Sequence, residues 1–164
     1  MSDEVDRILA DWRREVPHVD VDPLAVLSRV SRLARHLDRL RREAFAAHGL
    51  EPWEFDVLAA LRKAGRPYEL SPGQLLRETL VTSGTMTNRV DRLVGRELVA
   101  RHPAPDDGRS IRVRLTTAGA AVVEAALVDL VAAERRMLLA LDPAGQQTLA
   151  DLLRTVAEPF EPRR

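Results

Sequence analysis

The segment 80–101, LVTSGTMTNRVDRLVGRELVAR, has the apolar spacing of an amphipathic helix, and its two faces constrain the fold more than any other stretch. At about 100° per residue, its apolar side chains fall on one stripe and its small, polar and charged ones fall opposite. Thr82 and Ser83 can accept hydrogen bonds from the free amides of a first helical turn. Short hydrogen-bonding side chains lie on the outward face near that end, and such groups suit base edges and phosphates. The stripe consists of Met86, Val90, Leu93 and Val94, and the opposite face of Gly84, Asn88, Asp91, Arg92 and Gly95.

This pattern alone fits either a helix that contacts nucleic acid or an ordinary amphipathic surface helix. The residues that follow the helix distinguish between these two interpretations. Residues 98–102 lead into PAPDDGRS, and segment 111–115 then alternates, with Ile111, Val113 and Leu115 on one face and two arginines on the other. Strict alternation is typical of a half-buried strand. The sequence therefore predicts a hairpin with a charged tip directly after the helix, which is the outline of a winged helix-turn-helix.

Two further helices are predicted before the amphipathic helix and its hairpin. The run PWEFDVLAALRKAG ends at Gly65, and the motif SPGQ at 71–74 then combines an N-cap, a proline at the first helical position and a glutamine in the place of a capping box. The second of these helices should stop near Glu78 or Thr79. The tight helix, turn, helix spacing is therefore present.

Both ends of the chain are predicted to be helical with wide apolar faces, which suit a two-fold dimer better than a single bundle. The expected fold is mainly α with a small β-hairpin wing. A winged helix-turn-helix over 51–116 would bind DNA, and residues 1–50 and 117–164 would form a helical dimerisation lobe. The terminal helices are expected over about 3–16, 23–48, 117–141 and 143–160, with caps at Asp3, Asp22, Thr116 or Thr117, and Asp142.

Composition excludes several classes of function. The chain has no cysteine, its four histidines lack metal-ligand spacing, and it has no phosphate-binding loop, so we expect no metal, no cofactor and no enzymatic activity. It has no apolar run long enough for a bilayer, which makes a cytoplasmic location the expectation. Net charge is zero, but seven arginines oppose four acidic residues between positions 84 and 116, so DNA affinity should come from local arginines.

The motifs SPGQL, VTSGTMTNRVDRL and RHPAPDDGRSIRVRLTTAG resemble those of the MarR family of bacterial transcription regulators. The resemblance implies a homodimer that binds a pseudo-palindromic double-stranded operator, most often as a repressor. Ala104 and Gly108 depart from the family pattern, which leaves Arg109 as the one arginine at the wing tip for the minor groove. The DNA-binding candidates are Ser71, Gln74, Ser83, Gly84, Thr85, Thr87, Asn88, Arg92 and Arg109.

The N-terminal part is similar to the subgroup of this family that responds to urate and related small anions. The resemblance implies an effector site at Trp12, Asp56 and Arg89, with His36 as a weaker candidate. A planar anion needs a guanidinium, a flat aromatic wall and one acceptor. Trp12 could instead be a docking anchor, and Arg89 could pair with Asp56 or touch DNA.

Two alternatives remain open from the sequence. One is a MarR-like regulator whose pocket is vestigial or takes an unrelated ligand. The other is a winged-helix module that binds protein and no DNA, and the salt dependence of duplex binding would separate it from a DNA-binding regulator.

Overall fold

The computed structural model describes the backbone of residues 2–79, 82–104 and 107–161, and the side chains of these residues except 107–109. These ranges contain seven α-helices and a small three-stranded antiparallel sheet in which the last strand lies between the other two, so the predicted fold class is confirmed. The helices are α1 (Glu4–Glu15), α2 (Pro23–Ala46), α3 (Pro52–Lys63), α4 (Pro72–Thr79), α5 (Ser83–Gly95), α6 (Thr117–Met137) and α7 (Pro143–Ala157), and the strands are β1 (Glu69–Leu70), β2 (Val99–Ala104) and β3 (Asp107–Leu115).

Side-chain caps fix several helix starts at the predicted positions. Asp3 accepts from the backbone N–H of Asp6 in a capping box, and Thr116 and Asp142 accept from the first turns of α6 and α7 over 2.9 and 2.7 Å. Asp22 is the N-cap of α2 and is followed by a proline, as predicted, but it makes no side-chain cap hydrogen bond, because its backbone angles are already helical and its side chain binds Arg13.

Thr82 is likewise the N-cap of α5, as predicted, but the hydrogen bond expected from its side chain is not formed. Thr82 has the extended backbone of a cap. Its hydroxyl lies 2.9 Å from that of Thr85, so the two side chains bond each other in place of the backbone.

The last two helices end earlier than predicted. Helix α6 ends at Met137, and α7 ends at Ala157 and is followed by a short 3-10 turn over Glu158–Phe160.

The wing is a hairpin of β2 and β3, as the alternating pattern predicts. Val99 pairs with Leu115 and Arg101 with Val113, and both Val113 and Leu115 are buried. Ile111, which pairs with Pro103 towards the far end of β2, is 49% exposed. Strand β1 was not predicted from the sequence, because its two residues, which pair with β3, are too few to show an alternation.

One hydrophobic core joins α3, α4, α5, the sheet and part of α6. The apolar stripe of α5 enters this core at Met86, Val90 and Leu93, each no more than 2% exposed. A second, small cluster of Val5, Leu9 and Val21 holds α1 on α2. Trp12, which the sequence suggested as the main anchor of α1, is 48% exposed instead.

Large apolar side chains remain uncovered on α2, α6 and α7. Within the described part of the chain, no helix is both long and apolar enough to cross a bilayer. Contiguous exposed apolar faces such as these mark interaction sites. They include Val26, Leu27, Val30 and Leu33 on α2, Leu127, Val128 and Val131 on α6, and Leu152, Leu153 and Val156 on α7.

Candidate nucleic-acid interface and effector clefts

The exposed side of α5 carries short polar side chains. Thr87 donates from its hydroxyl to the carbonyl of Ser83 over 3.2 Å. By contrast with the Thr87 hydroxyl, the side-chain amide of Asn88 makes no hydrogen bond with any residue that the structure describes. Both groups of that amide are thus available for a bidentate contact with a base edge. The candidates exposed here are Ser83, Gly84, Thr85, Thr87 and Asn88.

Arg92 lies one helical turn beyond Asn88 on the same exposed line, but its guanidinium already has partners. Nη2 donates to Oε1 of Glu51 over 3.2 Å, and the guanidinium carbon lies 4.8 Å from the centre of the Trp53 ring. The side chain is still 55% exposed. Contact between Arg92 and the major groove therefore stays a prediction.

Trp53 and Glu51 form a cluster with two arginines of α5. The indole Nε1 donates to Oε2 of Glu51 over 2.5 Å, and Arg89 also lies over the ring, 5.4 Å from its centre. The hydrogen bond from Trp53, helped by Arg92, lowers the pKa of the Glu51 carboxyl below its usual range. Glu51 is therefore ionised at neutral pH. We call Glu51, Trp53, Arg89 and Arg92 the arginine–tryptophan cluster.

Ion pairs hold α5 on both of its flanks. On one flank, Arg96 donates to the buried carboxylate of Glu54 over 2.6 Å and to the carbonyl of Gly49 over 2.9 Å. On the other, Asp91 pairs with Arg101 of β2 over 2.6 Å. These contacts fix the orientation of α5 relative to both α3 and the wing.

The first turn of α4 is linked to the wing through Gln74. The predicted capping box is confirmed, since Ser71 N–H donates to Gln74 Oε1 over 2.8 Å and Gln74 N–H donates to Ser71 Oγ over 3.2 Å. Gln74 Oε1 also accepts from Arg112 of β3 over 3.1 Å. Contact of Ser71 and Gln74 with DNA stays a prediction, and the side chain of Arg109 lies outside those that the structure describes.

Asp56 lies beside a cleft of about 330 Å³ between α2 and α3. Burial raises the pKa of its carboxyl, while the positive charges of Arg89, Arg41 and Lys63 act in the opposite direction. Phe45 and Phe55 stack at 4.1 Å between ring centres. The cleft is lined by Asp38, Arg41, Arg42, Phe45, Pro52, Phe55, Asp56 and Leu130.

The four effector candidates do not share one cleft within this chain. His36 lines a second cleft of about 520 Å³ between α2 and α6, together with Arg39 and Arg136. The positive charge of Arg89 acts to lower the pKa of Asp56, but the guanidinium of Arg89 lies over the Trp53 ring. Among the described residues, no hydrogen bond, ion pair or ring contact joins Trp12 to Asp56 or Arg89. Their joint role in binding an effector stays a prediction.

The arginine–tryptophan cluster was not predicted, although the sequence contains a signal for its arginines. Arg89, Arg92 and Arg96 follow one another at spacings of three and four residues, which places them along one side of a helix.

Across the described ranges, no three His, Asp or Glu side chains are placed to hold a metal ion.

Comparisons with known proteins connect this geometry to one family. A model of the MarR family matches residues 48–110. The chain is 36% identical over 135 residues to the HTH-type transcriptional regulator PecS of Dickeya dadantii, which covers 82% of this chain and 81% of PecS. The match to PecS thus extends beyond the winged helix-turn-helix into the terminal helices.

Two solved structures show the same architecture. A mutant of Escherichia coli MarR complexed with operator DNA has a TM-score of 0.68 and 29% identity, covering 84% of this chain and 99% of that one. Bordetella bronchiseptica BpsR, solved in a study of how 6-hydroxynicotinic acid regulates its DNA binding, has a TM-score of 0.66 and 26% identity, covering 80% and 92%. These relatives are transcription regulators rather than enzymes. The chain belongs to the MarR family of winged-helix transcription regulators.

Proposed function

We propose that this chain is a sequence-specific DNA-binding repressor that reads its operator with α5. The observation that carries the proposal is the exposed line of Gly84, Asn88 and Arg92, opposite the buried stripe of the same helix. Residues four apart share one face of a helix, so a groove along that face would meet a small residue, an amide and a guanidinium in turn. The structure of E. coli MarR with operator DNA supports DNA as the partner of this fold.

The proposed contacts divide between the two grooves and the phosphates. Arg109 would reach the minor groove from the wing tip, and the first turn of α4 would contact the DNA backbone through Ser71 and Gln74. Residues 51–116 would form the DNA-binding lobe, with 1–50 and 117–164 as the dimerisation lobe. The major-groove set would be Ser83, Gly84, Thr85, Thr87 and Asn88, with Arg92 at the edge of the groove, where its guanidinium would contact a phosphate.

A homodimer is part of this proposal. Leu127 and Val131 on α6 and Leu152 on α7 are between 43% and 61% exposed, and a monomer rarely leaves so much apolar surface uncovered. A two-fold dimer presents two copies of α5, so the operator should be pseudo-palindromic with half-sites about 10 base pairs apart. The proposed location is the cytoplasm, where such an operator would be accessible.

Selection of bound duplexes from a random-sequence pool, followed by footprinting, tests the DNA-binding proposal. We expect two protected half-sites about one helical turn apart, and light scattering should show a dimer. Removal of residues 143–164 should abolish both dimer formation and duplex binding. Protection of a single half-site by a monomer, or enrichment of no sequence at all, would refute the proposal.

We further propose that a small organic anion such as urate releases the operator. Support comes from the cleft beside Asp56, where Arg41 and Arg42 supply guanidiniums, Phe55 an aromatic surface and Asp56 an acceptor. Its volume of about 330 Å³ suits a compact planar molecule. Regulation of BpsR by 6-hydroxynicotinic acid supports the same ligand class.

A thermal-shift series with urate, 6-hydroxynicotinate and salicylate tests the effector proposal, since a ligand of the folded state raises the melting temperature. Arg42→Ala should remove the shift if the cleft beside Asp56 is the site. Arg39→Ala is the matched control, because Arg39 lines the other cleft with His36. Trp12→Ala and Arg89→Ala then show whether those residues contribute. No shift and no release of duplex by any of the anions would refute the effector proposal.

A further inference from the structure

Without DNA, the Arg92 guanidinium is bound by a carboxylate, which is an acceptor similar to a DNA phosphate. This guanidinium donates to a carboxylate oxygen of Glu51 over 3.2 Å, and carboxylate and phosphate oxygens are equivalent charged acceptors for such a group. The indole N–H of Trp53 fixes the same carboxylate. Glu51 therefore occupies the guanidinium in the way that a DNA phosphate would.

The position of the pair places it at the edge of the proposed reading surface. Arg92 follows Asn88 by one turn on the exposed face of α5, so a duplex docked on Asn88 brings phosphates within reach of Arg92. Glu51 is 58% exposed beside that surface. An ionised carboxylate there occupies the guanidinium that a DNA phosphate would otherwise bind.

Trp53 remains a support for Arg92 whichever acceptor the guanidinium uses. The guanidinium carbon lies 4.8 Å from the ring centre, within the distance over which a cation is attracted to an indole face. Stacking on the ring does not use the N–H groups of the guanidinium edge, so these remain able to exchange one oxygen acceptor for another.

We propose that Glu51 limits DNA affinity by competing with a DNA phosphate for Arg92, and that Trp53 positions the guanidinium for the exchange. This inference rests on the proposed DNA-binding function. Its effect is independent of base sequence, because phosphate contacts carry no base information. Glu51 thereby acts on how tightly the protein holds any duplex, while Asn88 acts on which duplex it prefers.

Glu51→Gln tests the inference with little disturbance of the fold. Glutamine keeps an oxygen that can accept from the Trp53 indole, but it lacks the charge that holds Arg92. The hydrogen bond at the start of α3, from Glu51 N–H to Glu54 over 2.9 Å, uses the backbone and survives the change. The probes are the selected duplex and a scrambled duplex of equal length, and equal melting temperatures of variant and wild type verify the fold.

We expect Glu51→Gln to bind both duplexes about two- to fivefold more tightly, the range that an exposed ion pair supports, with the preference between them unchanged. Glu97→Gln is the matched control, because Glu97 is exposed in the turn after α5 and forms no ion pair among the described residues. It removes one negative charge from the same lobe and should give a smaller gain.

The Arg92→Ala background separates competition for Arg92 from general charge effects. In that background Glu51→Gln should gain no more than Glu97→Gln does. The inference is overturned if the gain of Glu51→Gln persists without Arg92, if it equals that of Glu97→Gln, or if Glu51→Gln weakens binding. If the wild type binds no duplex, the proposed function is overturned as well. If the wild type binds duplex and Glu51→Gln gives one of these outcomes, only this inference is overturned.

Discussion

Arg96 donates a hydrogen bond to the carboxylate of Glu54 over 2.6 Å, and Glu54 is only 2% exposed. Within the described ranges, no other charged or polar side chain is as fully buried. Glu54 also accepts from the backbone N–H of Glu51. The pair joins the end of α5 to the first turn of α3, so it constrains the angle between these two helices.

We predict that Arg96→Ala destabilises the fold by about 2 kcal/mol, because a buried carboxylate loses its charged partner. Arg92→Ala is the matched control on the same helix. Its ion pair with Glu51 is exposed on both sides, so its loss should cost less than about 1 kcal/mol. Urea unfolding at one protein concentration measures both, and equal losses would show that Glu54 does not depend on Arg96.

We predict that Gly119→Ala lowers the melting temperature. A Cβ at this position would lie 2.0 Å from the carbonyl oxygen of Leu98, which is rigid backbone. The start of α6 would have to shift away, at a cost of about 1–3 kcal/mol or more. Gly95→Ala is the control, because a Cβ there meets nothing within 4 Å and alanine favours a helix. A melting temperature for Gly119→Ala as high as that of Gly95→Ala would contradict the close approach of α6 to Leu98.

We predict that Asp56→Asn raises the melting temperature at neutral pH. Burial raises the pKa of Asp56 in the folded chain above its ordinary value of 3.8, so the folded state binds the proton more tightly than the unfolded state does. The resulting stabilisation is complete below the unfolded pKa and is lost as pH rises through the folded pKa. The gain of Asp56→Asn should therefore vanish below about pH 3. Melting curves across this range test it, and a variant less stable than wild type at neutral pH would contradict the sign.

We predict that Arg109→Ala weakens binding to every duplex and flattens the dependence of log affinity on log salt by about one unit. The expectation follows if this arginine reaches the DNA backbone or minor groove, as proposed, without reading bases in the major groove. Titrations with the selected and scrambled duplexes at several salt concentrations measure the slope. If the slope and the affinity stay at wild-type values, the wing does not touch DNA in this protein.

The recognition helix and the wing could be predicted from the sequence because their signals are local. The stripe of Met86, Val90 and Leu93 needs only helical periodicity, and the hairpin needs only the alternation of 111–115 and a turn. Both are confirmed by burial and strand pairing. The capping box of Ser71 and Gln74 is local in the same sense.

Contacts between distant segments could not be predicted in this way. Trp53 and Arg92 lie in different helices, and only the packing of α5 on α3 brings them together. β1 depends on pairing with β3, since two residues carry no pattern of their own. An effector site at Trp12, Asp56, Arg89 and His36 was expected from a resemblance and stays a prediction, and no periodicity indicates that Arg41 and Arg42 line the cleft beside Asp56.

The central claim, that α5 reads operator sequence, is tested most directly by the affinity of Asn88→Ala for the selected duplex relative to the scrambled one. The amide of Asn88 is exposed on the reading face, and a bidentate contact with a base contributes about 1–3 kcal/mol of discrimination. We predict that the preference of the wild type falls by about five- to 150-fold in the variant, while affinity for the scrambled duplex stays nearly unchanged. An undiminished preference in Asn88→Ala would contradict the account.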